Sequence, residues 1–302
     1  MSLILSLGGI YFFILLGYLA KKIFQEKMDE KTLVLFSIYF LQPILVFWGL
    51  TTKEIDASVL TAPLIFMLVM ACALAVSFLF SHLLFKEQKE RSIATVASIV
   101  GNTGNLGIPL GIALFGTESI IYTSIINLVN VFLVYIVGVY FYGRGSYSVN
   151  ESLKNIFKLP VIWFAFLAIG FNYAGFKVPP EILLPMEMGA YATMVIQLAI
   201  FGMYLYGVVY KEIDWKLFNF VMVVKFLLIP LISILILRLF ELDDLVYNVI
   251  LLELLVPLAV MNVNLASLYD CKPIQVAFLI FATSVLFLFY LFGVVGFLFR
   301  YN

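Results

Sequence analysis

Charged residues are scarce in this 302-residue sequence. Only 12% of the residues are Asp, Glu, Lys or Arg, whereas 64% are hydrophobic. A soluble domain is about a quarter charged and about half apolar. A soluble chain of this length could not cover its surface with so few charges, so the sequence predicts a protein surrounded largely by lipid.

Histidine and cysteine are nearly missing, which excludes several kinds of chemistry. His82 is the single histidine, and the two cysteines, Cys72 and Cys271, are far apart in the sequence. They offer neither a disulfide framework nor a metal site. The sequence also has no P-loop and no His-Glu-x-x-His motif. We therefore expect a protein that is not an enzyme and that carries no cofactor.

An excess of one charge sign is also missing. Eighteen basic and 18 acidic residues give a formal net charge of zero, which removes any compositional argument for nucleic-acid binding. The partner that the composition predicts is the lipid bilayer, and a homodimer is left open.

Long apolar runs are what the sequence has in quantity. A helix needs about 20 residues to cross a bilayer core of about 30 Å. The apolar runs are too long for barrel strands and lack alternating polarity, so the predicted fold is an all-α membrane protein with ten transmembrane helices. The predicted spans are 2–20, 33–50, 58–85, 94–114, 118–142, 156–174, 187–209, 217–240, 246–269 and 274–299.

Basic residues predict the orientation of these spans. Thirteen Lys and Arg residues fall in one set of alternating polar breaks and four in the other, which leaves Lys225 within a span. Because cytoplasmic loops carry the excess of Lys and Arg, the richer set is predicted to be cytoplasmic. We therefore expect a multi-pass protein of the cell (inner) membrane with both termini extracytoplasmic.

The two halves of the chain follow the same plan. Three residue pairs recur at offsets of 153, 155 and 148: Gly17 and Gly170, Gln42 and Gln197, and Pro109 and Pro257. Because five spans per half is an odd number, the second half must cross the membrane in the opposite direction, as in the inverted repeats of secondary transporters. We predict a first five-helix repeat over 1–142, a short cytoplasmic linker over 143–155 and a second repeat over 156–302.

Span 4 contains the polar stretch Gly101-Asn-Thr-Gly-Asn-Leu-Gly-Ile-Pro109. Glycines at every third position weaken a helix, and proline interrupts it. A bilayer tolerates such a break only against protein or a water-filled cavity, and amides at a half-helix N-terminus favour an anion. Close packing through Gly107 and Gly111 is the alternative, but packing alone does not require Asn102 and Asn105.

Span 9 repeats this pattern, with Pro257 followed by Asn262 and Asn264. If the two spans are related, their breaks cross near the midplane of the membrane, where transporters bind substrate. An interhelical hydrogen bond is the alternative role for the more distant polar residues, including Asn127. The predicted substrate-binding residues are Asn102, Thr103, Asn105, Pro109, Asn130, Gln42, Gln197, Pro257, Asn262 and Asn264.

Two charged residues, Lys225 and Glu253, lie well inside predicted spans. A charge at the bilayer centre costs at least ~2.5 kcal/mol, so both should face protein or water. We predict that Lys225 offsets the charge of an anionic substrate or keeps Glu253 ionised. A purely structural pair is the alternative.

These stretches together resemble the auxin efflux carrier family, whose prokaryotic members include malate and malonate permeases. The resemblance implies ten spans in two repeats and a crossover of spans 4 and 9 between a transport domain and a scaffold domain. It also implies carriage of organic anions and a fold similar to that of bile acid–sodium symporters. The matching motifs, in order, are Leu16-Gly-Tyr18, Leu33-Val-Leu-Phe36, Leu41-Gln-Pro43, the Gly/Asn-rich break with Pro109, Leu159-Pro-Val-Ile-Trp163, Lys225-Phe-Leu-Leu-Ile-Pro230, Val256-Pro-Leu-Ala-Val260 and Leu265-Ala266.

The sequence departs at two places from the families that it resembles. The linker at 143–155 is much shorter than the loop of plant auxin exporters, and Pro257 stands where bile acid carriers have their sodium-site carboxylate. Coupling to protons or to sodium is therefore open.

The predicted function is a secondary transporter, an efflux-type carrier that moves a small organic anion, a carboxylate, across the cell membrane by alternating access at the helix crossover. The alternatives are a passive anion channel and an uptake permease for a dicarboxylate such as malate or malonate. A channel needs a continuous polar stripe, whereas the polar residues here cluster around two helix breaks.

Overall fold

The computed structural model describes residues 2–51, 54–55, 57–143, 157–206, 213–259, 261–297 and 299. Within these residues the chain forms helices, and the β-type pairing consists of one isolated antiparallel bridge. The all-helical prediction is therefore confirmed. The predicted linker at 143–155 lies, except for Gly143, outside the described residues.

Twelve helices in the described residues cover the apolar segments, and the fourth and ninth segments are each split in two. They are α1 (Ser2–Phe24), α2 (30–51), α3 (Ala57–Leu84), α4 (Gln88–Val96), α5 (Thr103–Phe115), α6 (Thr117–Tyr142), α7 (Pro160–Tyr173), α8 (Pro180–Tyr206), α9 (Trp215–Leu237), α10 (Asp244–Leu255), α11 (Met261–Leu268) and α12 (Pro273–Phe297).

Among the described residues, six helices are long and apolar enough to cross a membrane: α2, α3, α6, α8, α9 and α12. The helices α5 and α7 are apolar but shorter. Large apolar side chains on the helix surfaces, such as Leu79 and Phe289, are 57% and 73% exposed. An extensive exposed apolar surface of this kind fits a lipid environment rather than water.

Helix α8 begins earlier than the sequence predicts. It starts at Pro180 rather than near 187, so Glu187 lies two turns inside the helix and not at its start. Proline is well placed at a helix start, because the N–H that it lacks would have no partner there. Two glutamates, Glu181 and Glu187, and the prolines at 180 and 185 interrupt the apolar sequence here, which conceals this helix from a search for apolar runs.

Three helices widen into a five-residue π turn that ends two residues before a proline: 37–41 before Pro43, 103–107 before Pro109 and 224–228 before Pro230. A proline ring clashes with the carbonyl four residues earlier, which in each case lies inside the π turn. The wider turn relieves this clash and lets the helix continue. The prediction that Pro109 interrupts span 4 is therefore wrong, because the break lies at 97–102, ahead of α5.

The helices pack into two groups. In the first group α1 packs along α8, and α2 packs between α7 and α8. In the second group α3, α6, α9 and α10 pack together with the shorter helices α4, α5, α11 and α12. The groups meet where α2 contacts α6 and where α5 contacts α1 and α8.

Helices α1 and α8 approach each other backbone to backbone. A Cβ atom at Gly17 would overlap the carbonyl oxygen of Ala199, and one at Gly202 would overlap the carbonyl oxygen of Ile14. The two glycines therefore set the separation of these helices, as small residues do at membrane helix interfaces.

We expect Gly17→Ala and Gly202→Ala each to destabilise the protein by about 1–3 kcal/mol, because the helices must move apart to admit the methyl group. Thermal unfolding in detergent measures this effect. Gly170→Ala is the matched control, since a Cβ there meets no atom within 4 Å. Equal unfolding midpoints for all three variants would contradict the close packing of α1 and α8.

Candidate functional site

The two helix breaks, 97–102 between α4 and α5 and 256–259 between α10 and α11, lie against each other. The backbone N–H of Asn102 donates to the carbonyl of Pro257 at 2.8 Å, and the N–H of Ala259 donates to the carbonyl of Val100 at 2.9 Å. Gly101 and Leu258 form the antiparallel bridge between these bonds. The contact that the sequence predicts between the breaks of spans 4 and 9 is present.

Side chains of α6 hold the first break in place. The amide nitrogen of Asn130 donates to the carbonyl of Gly101 and to the hydroxyl of Thr103, both at 2.9 Å. The Thr103 hydroxyl in turn donates to the Asn127 side-chain oxygen at 2.9 Å. This chain of bonds fixes the orientation of both asparagine amides, so the Asn127 NH₂ group is the end that remains without a bond.

A cavity of about 100 Å³ opens beside the crossing breaks. This volume holds several water molecules and therefore admits a small ligand. No charged side chain is among the described residues that line it. Its polar wall consists of Ser37, Gln42, Asn102, Thr103, Asn105, Asn127 and Asn130.

Several polar atoms at this cavity are buried without a partner among the described residues. They include the amide nitrogens of Asn102 and Asn127, the Asn130 side-chain oxygen and the Ser37 hydroxyl. Helix α5 also begins here, and the first backbone N–H groups of a helix have no acceptor within the helix. Donors predominate in this set, which favours a negatively charged ligand group.

The glycines at 101, 104 and 107 each leave room for a side chain from another helix. A Cβ at Gly104 would lie 2.8 Å from the Asn127 side-chain oxygen, and one at Gly107 would overlap the carboxylate of Glu253. A Cβ at Gly101 would lie 3.6 Å from the Lys225 ammonium nitrogen. These three glycines therefore let an amide, a carboxylate and an ammonium group from other helices approach the backbone of this segment closely.

Lys225 is fully buried and lies behind the cavity wall rather than in it. Its ammonium group donates to the carbonyl of Leu254 at 3.0 Å, in the last turn of α10. A positive charge at a helix C-terminus is favourable, because the free carbonyls there carry partial negative charge. The backbone of Gly101 separates this charge from the cavity.

Glu253 is also fully buried, and both of its carboxylate oxygens lack a hydrogen-bond donor among the described residues. It attracts Lys225 electrostatically. The direct ion pairs of the described residues nevertheless do not include this pair. The two charges therefore flank the first break, with Lys225 at Gly101 and Glu253 at Gly107.

Other predicted site residues have structural contacts. Asn262 accepts a bond from the Tyr142 hydroxyl at 3.2 Å and donates to the carbonyls of Val100 and Ala259 at 3.1 Å. It thus ties α11 to both breaks and is not among the cavity-lining residues. The side chain of Asn264 lies outside the described residues.

The remaining predicted residues differ in their relation to the cavity. Gln42 lines it, whereas Gln197 is buried in α8 away from the lining, with neither amide atom paired among the described residues. Pro257 contributes its carbonyl to the crossing, and Pro109 is buried in the second turn of α5.

Sequence reasoning missed Ser37 and left Asn127 open between a substrate contact and an interhelical hydrogen bond. Ser37 lines the cavity together with Gln42, because the π turn pairs residues five apart and the backbone N–H of Gln42 donates to the Ser37 carbonyl. An α-helix would not align these two positions. For Asn127 the available signal was its spacing from Asn130, three residues on, which places both amides on one helix face.

We expect Asn130→Asp to destabilise the protein by about 1–3 kcal/mol, because a carboxylate cannot donate to the Gly101 carbonyl, which would then be buried unpaired. Thermal unfolding in detergent measures the change. Asn105→Asp is the matched control, since Asn105 is half-buried and holds no such bond. Equal losses of stability for the two variants would show that Asn130 does not support the break.

Two comparisons with known proteins agree with this architecture. The family model described as membrane transport protein matches residues 3–294. The uncharacterized transporter MJ1031 of Methanocaldococcus jannaschii is 26% identical over 282 residues, which are 90% of this chain and 91% of that protein. The resemblance to auxin efflux carriers is thereby confirmed, and the chain belongs to the membrane transport protein family.

Proposed function

We propose that this membrane transporter is a secondary carrier of the efflux type, which moves a small organic anion, a carboxylate, by alternating access at the crossing of the two helix breaks. The observation that carries the proposal is the set of unpaired donors at one cavity. The amide nitrogens of Asn102 and Asn127 and the first N–H groups of α5 all lie there. A carboxylate supplies acceptors for several such donors at once.

The packing of the helices supports two inverted five-helix repeats. Helix α1 packs on α8, and α7 packs on α2, so exchanging the two halves of the chain converts one contact into the other. The breaks of spans 4 and 9 likewise pair with each other. In transporters built from such repeats, substrate binds where the half-helices meet.

A second, wider cavity of about 730 Å³ supports the outward direction of transport. It lies on the side that the distribution of Lys and Arg predicts to be extracytoplasmic. Glu54, Glu118 and Glu187 line it together with Lys177. A negative potential lowers the local concentration of anions, so an anion released through this mouth would not readily return.

A passive anion channel and an uptake permease for a dicarboxylate are the alternative functions. A channel is less well supported, because the polar cavity at the crossing is small and local. Counterflow in proteoliposomes distinguishes a carrier from a channel, and a panel of mono- and dicarboxylates, with sodium and pH varied separately, identifies the substrate class and the coupling ion. A carrier exchanges labelled for unlabelled anion, whereas a channel dissipates the gradient without exchange. Absence of movement for every carboxylate would overturn the proposed substrate class.

We expect Asn102→Ala, Asn105→Ala and Asn127→Asp to weaken anion binding while the protein stays folded. Loss of one hydrogen bond to a charged group costs about 1.5–3 kcal/mol, which is roughly ten- to a hundredfold in affinity. Asn127→Asp keeps the acceptor for Thr103 but replaces the free donor by a negative oxygen.

Counterflow and thermal unfolding, measured on the same preparations, test this prediction. Asn219→Asp is the control, because Asn219 is exposed on α9 and does not line the cavity. Normal transport by the Asn102, Asn105 and Asn127 variants would assign the polar residues of the break to helix packing alone.

Lys225 compensates the charge of the bound anion in this proposal. Its ammonium group lies one layer of backbone behind the cavity, next to Gly101. The field of a charge acts strongly through a medium of low dielectric constant, so the anion is stabilised without direct contact. Because a buried lysine can release its proton, the same group is the natural site for any exchange of a proton.

We expect Lys225→Met to abolish anion movement and to leave a folded protein, and Lys225→Arg to retain partial binding but to lose any proton coupling. Counterflow at several pH values together with thermal unfolding measures both effects. The double variant Lys225→Met, Glu253→Gln tests the structural alternative. If it restores both stability and transport that the single variant has lost, the pair is structural. A fully active Lys225→Met would contradict both roles.

A further inference from the structure

A third cavity, of about 510 Å³, lies between α3, α4 and α6. Three basic side chains line it: His82, Lys86 and Arg91. Gln88, Ser92 and Thr95 add amide and hydroxyl groups, and no carboxylate is among the described lining residues. The cavity also faces the first turn of α4, where the helix dipole adds positive potential.

The acidic residues of the segment 86–91 point away from this cavity. In Lys86-Glu-Gln-Lys-Glu-Arg91, Glu87 and Glu90 accept bonds from Lys272 at 2.6 and 2.7 Å. The hydrogen bond from Lys272 holds the pKa of Glu87 below its usual value, so this pairing with Lys272 persists at neutral pH. These carboxylates therefore leave the basic side of the segment uncompensated.

Lys89 also pairs away from the cavity, with Asp270 at 2.9 Å. Lys86 and Arg91, in contrast, have no ion-pair partner among the described residues. One Arg91 nitrogen donates to the carbonyl of Phe85 at 2.7 Å, which fixes the position of the guanidinium group. Its remaining N–H groups are available to an anion in a fork-shaped arrangement that suits phosphate.

The other wall of the cavity is aromatic and continuous with the lipid-facing surface. Phe78 and Tyr140 are 43% and 47% exposed, and Phe141 contacts both rings. Further along α3, Leu79 and Leu83 are 57% and 71% exposed. Tyrosine is typical of the membrane–water interface. The cavity thus has a basic side towards water and an apolar side towards acyl chains.

We propose that this cavity binds the phosphate headgroup of an anionic phospholipid, with its acyl chains along the exposed face of α3. Phosphate is the shared chemistry of lipid headgroups and soluble phosphates, and the aromatic wall favours the lipid. Basic cavities between membrane helices are known to take such headgroups. On the predicted topology the lipid belongs to the cytoplasmic leaflet.

Native mass spectrometry of the full chain tests the proposal, after incubation with phosphatidylglycerol or with phosphatidylcholine. We expect the wild type to retain phosphatidylglycerol in preference to phosphatidylcholine. The double variant Lys86→Gln, Arg91→Gln should weaken this retention about tenfold or more, since each residue loses charge-assisted hydrogen bonds. The matched control is Lys22→Gln, Lys27→Gln, which removes the same charge from the same predicted side and outside the cavity.

The outcomes separate the lipid from other ligands. Retention that falls equally in both double variants would reduce the effect to general surface charge and overturn the site. Retention unchanged in Lys86→Gln, Arg91→Gln would overturn it as well. Inorganic phosphate is the third arm: if millimolar phosphate binds the protein in phosphatidylcholine nanodiscs and displaces phosphatidylglycerol, the cavity is a site for soluble phosphate and the lipid assignment fails.

Discussion

The backbone pairing between residues 100–102 and 257–259 is the constraint on which the rest of the site depends. A helix that stops inside a bilayer exposes N–H and C=O groups, each of which costs several kcal/mol if it stays unpaired. Here two broken helices satisfy each other directly. Asn130 and Asn262 then take up the carbonyls of Gly101 and Val100. The polar groups of the cavity wall that remain unpaired among the described residues are therefore available to a ligand.

The distribution of charge follows from this arrangement. The cavity is lined by neutral donors, while Lys225 and Glu253 are held behind the backbone of the first break. A carrier must release its substrate on the far side of the membrane, and a buried ion pair with the substrate would resist separation. In the proposed carrier, amide donors hold the anion less strongly than a charged side chain would, and the charge of Lys225 compensates it from behind the backbone. Weak direct contacts and an indirect charge together suit repeated binding and release.

The sequence predicts some features of this protein well because they are local. Apolar length indicates the helices, and the run of Gly and Asn marks the first break. Prediction from the sequence fails where the role of a residue depends on contacts with distant parts of the chain. Gln42 and Gln197 match by their offset, yet only Gln42 is among the described residues that line the cavity. Asn262 resembles a ligand-binding residue, but its amide already donates to the carbonyls of Val100 and Ala259. Pro109 does not break its helix, because the preceding π turn relieves the clash of the proline ring with the backbone. No pattern in one span reveals which partner another span supplies.

The glycine at position 107 couples three distant positions of the chain. A Cβ atom there overlaps the carboxylate of Glu253, which comes from a helix almost 150 residues later in the chain. A lineage could therefore acquire alanine at 107 only if the Glu253 carboxylate moved aside or position 253 took a shorter residue. Either change alters the surroundings of Lys225, which Glu253 attracts. We therefore expect positions 107, 225 and 253 to change together.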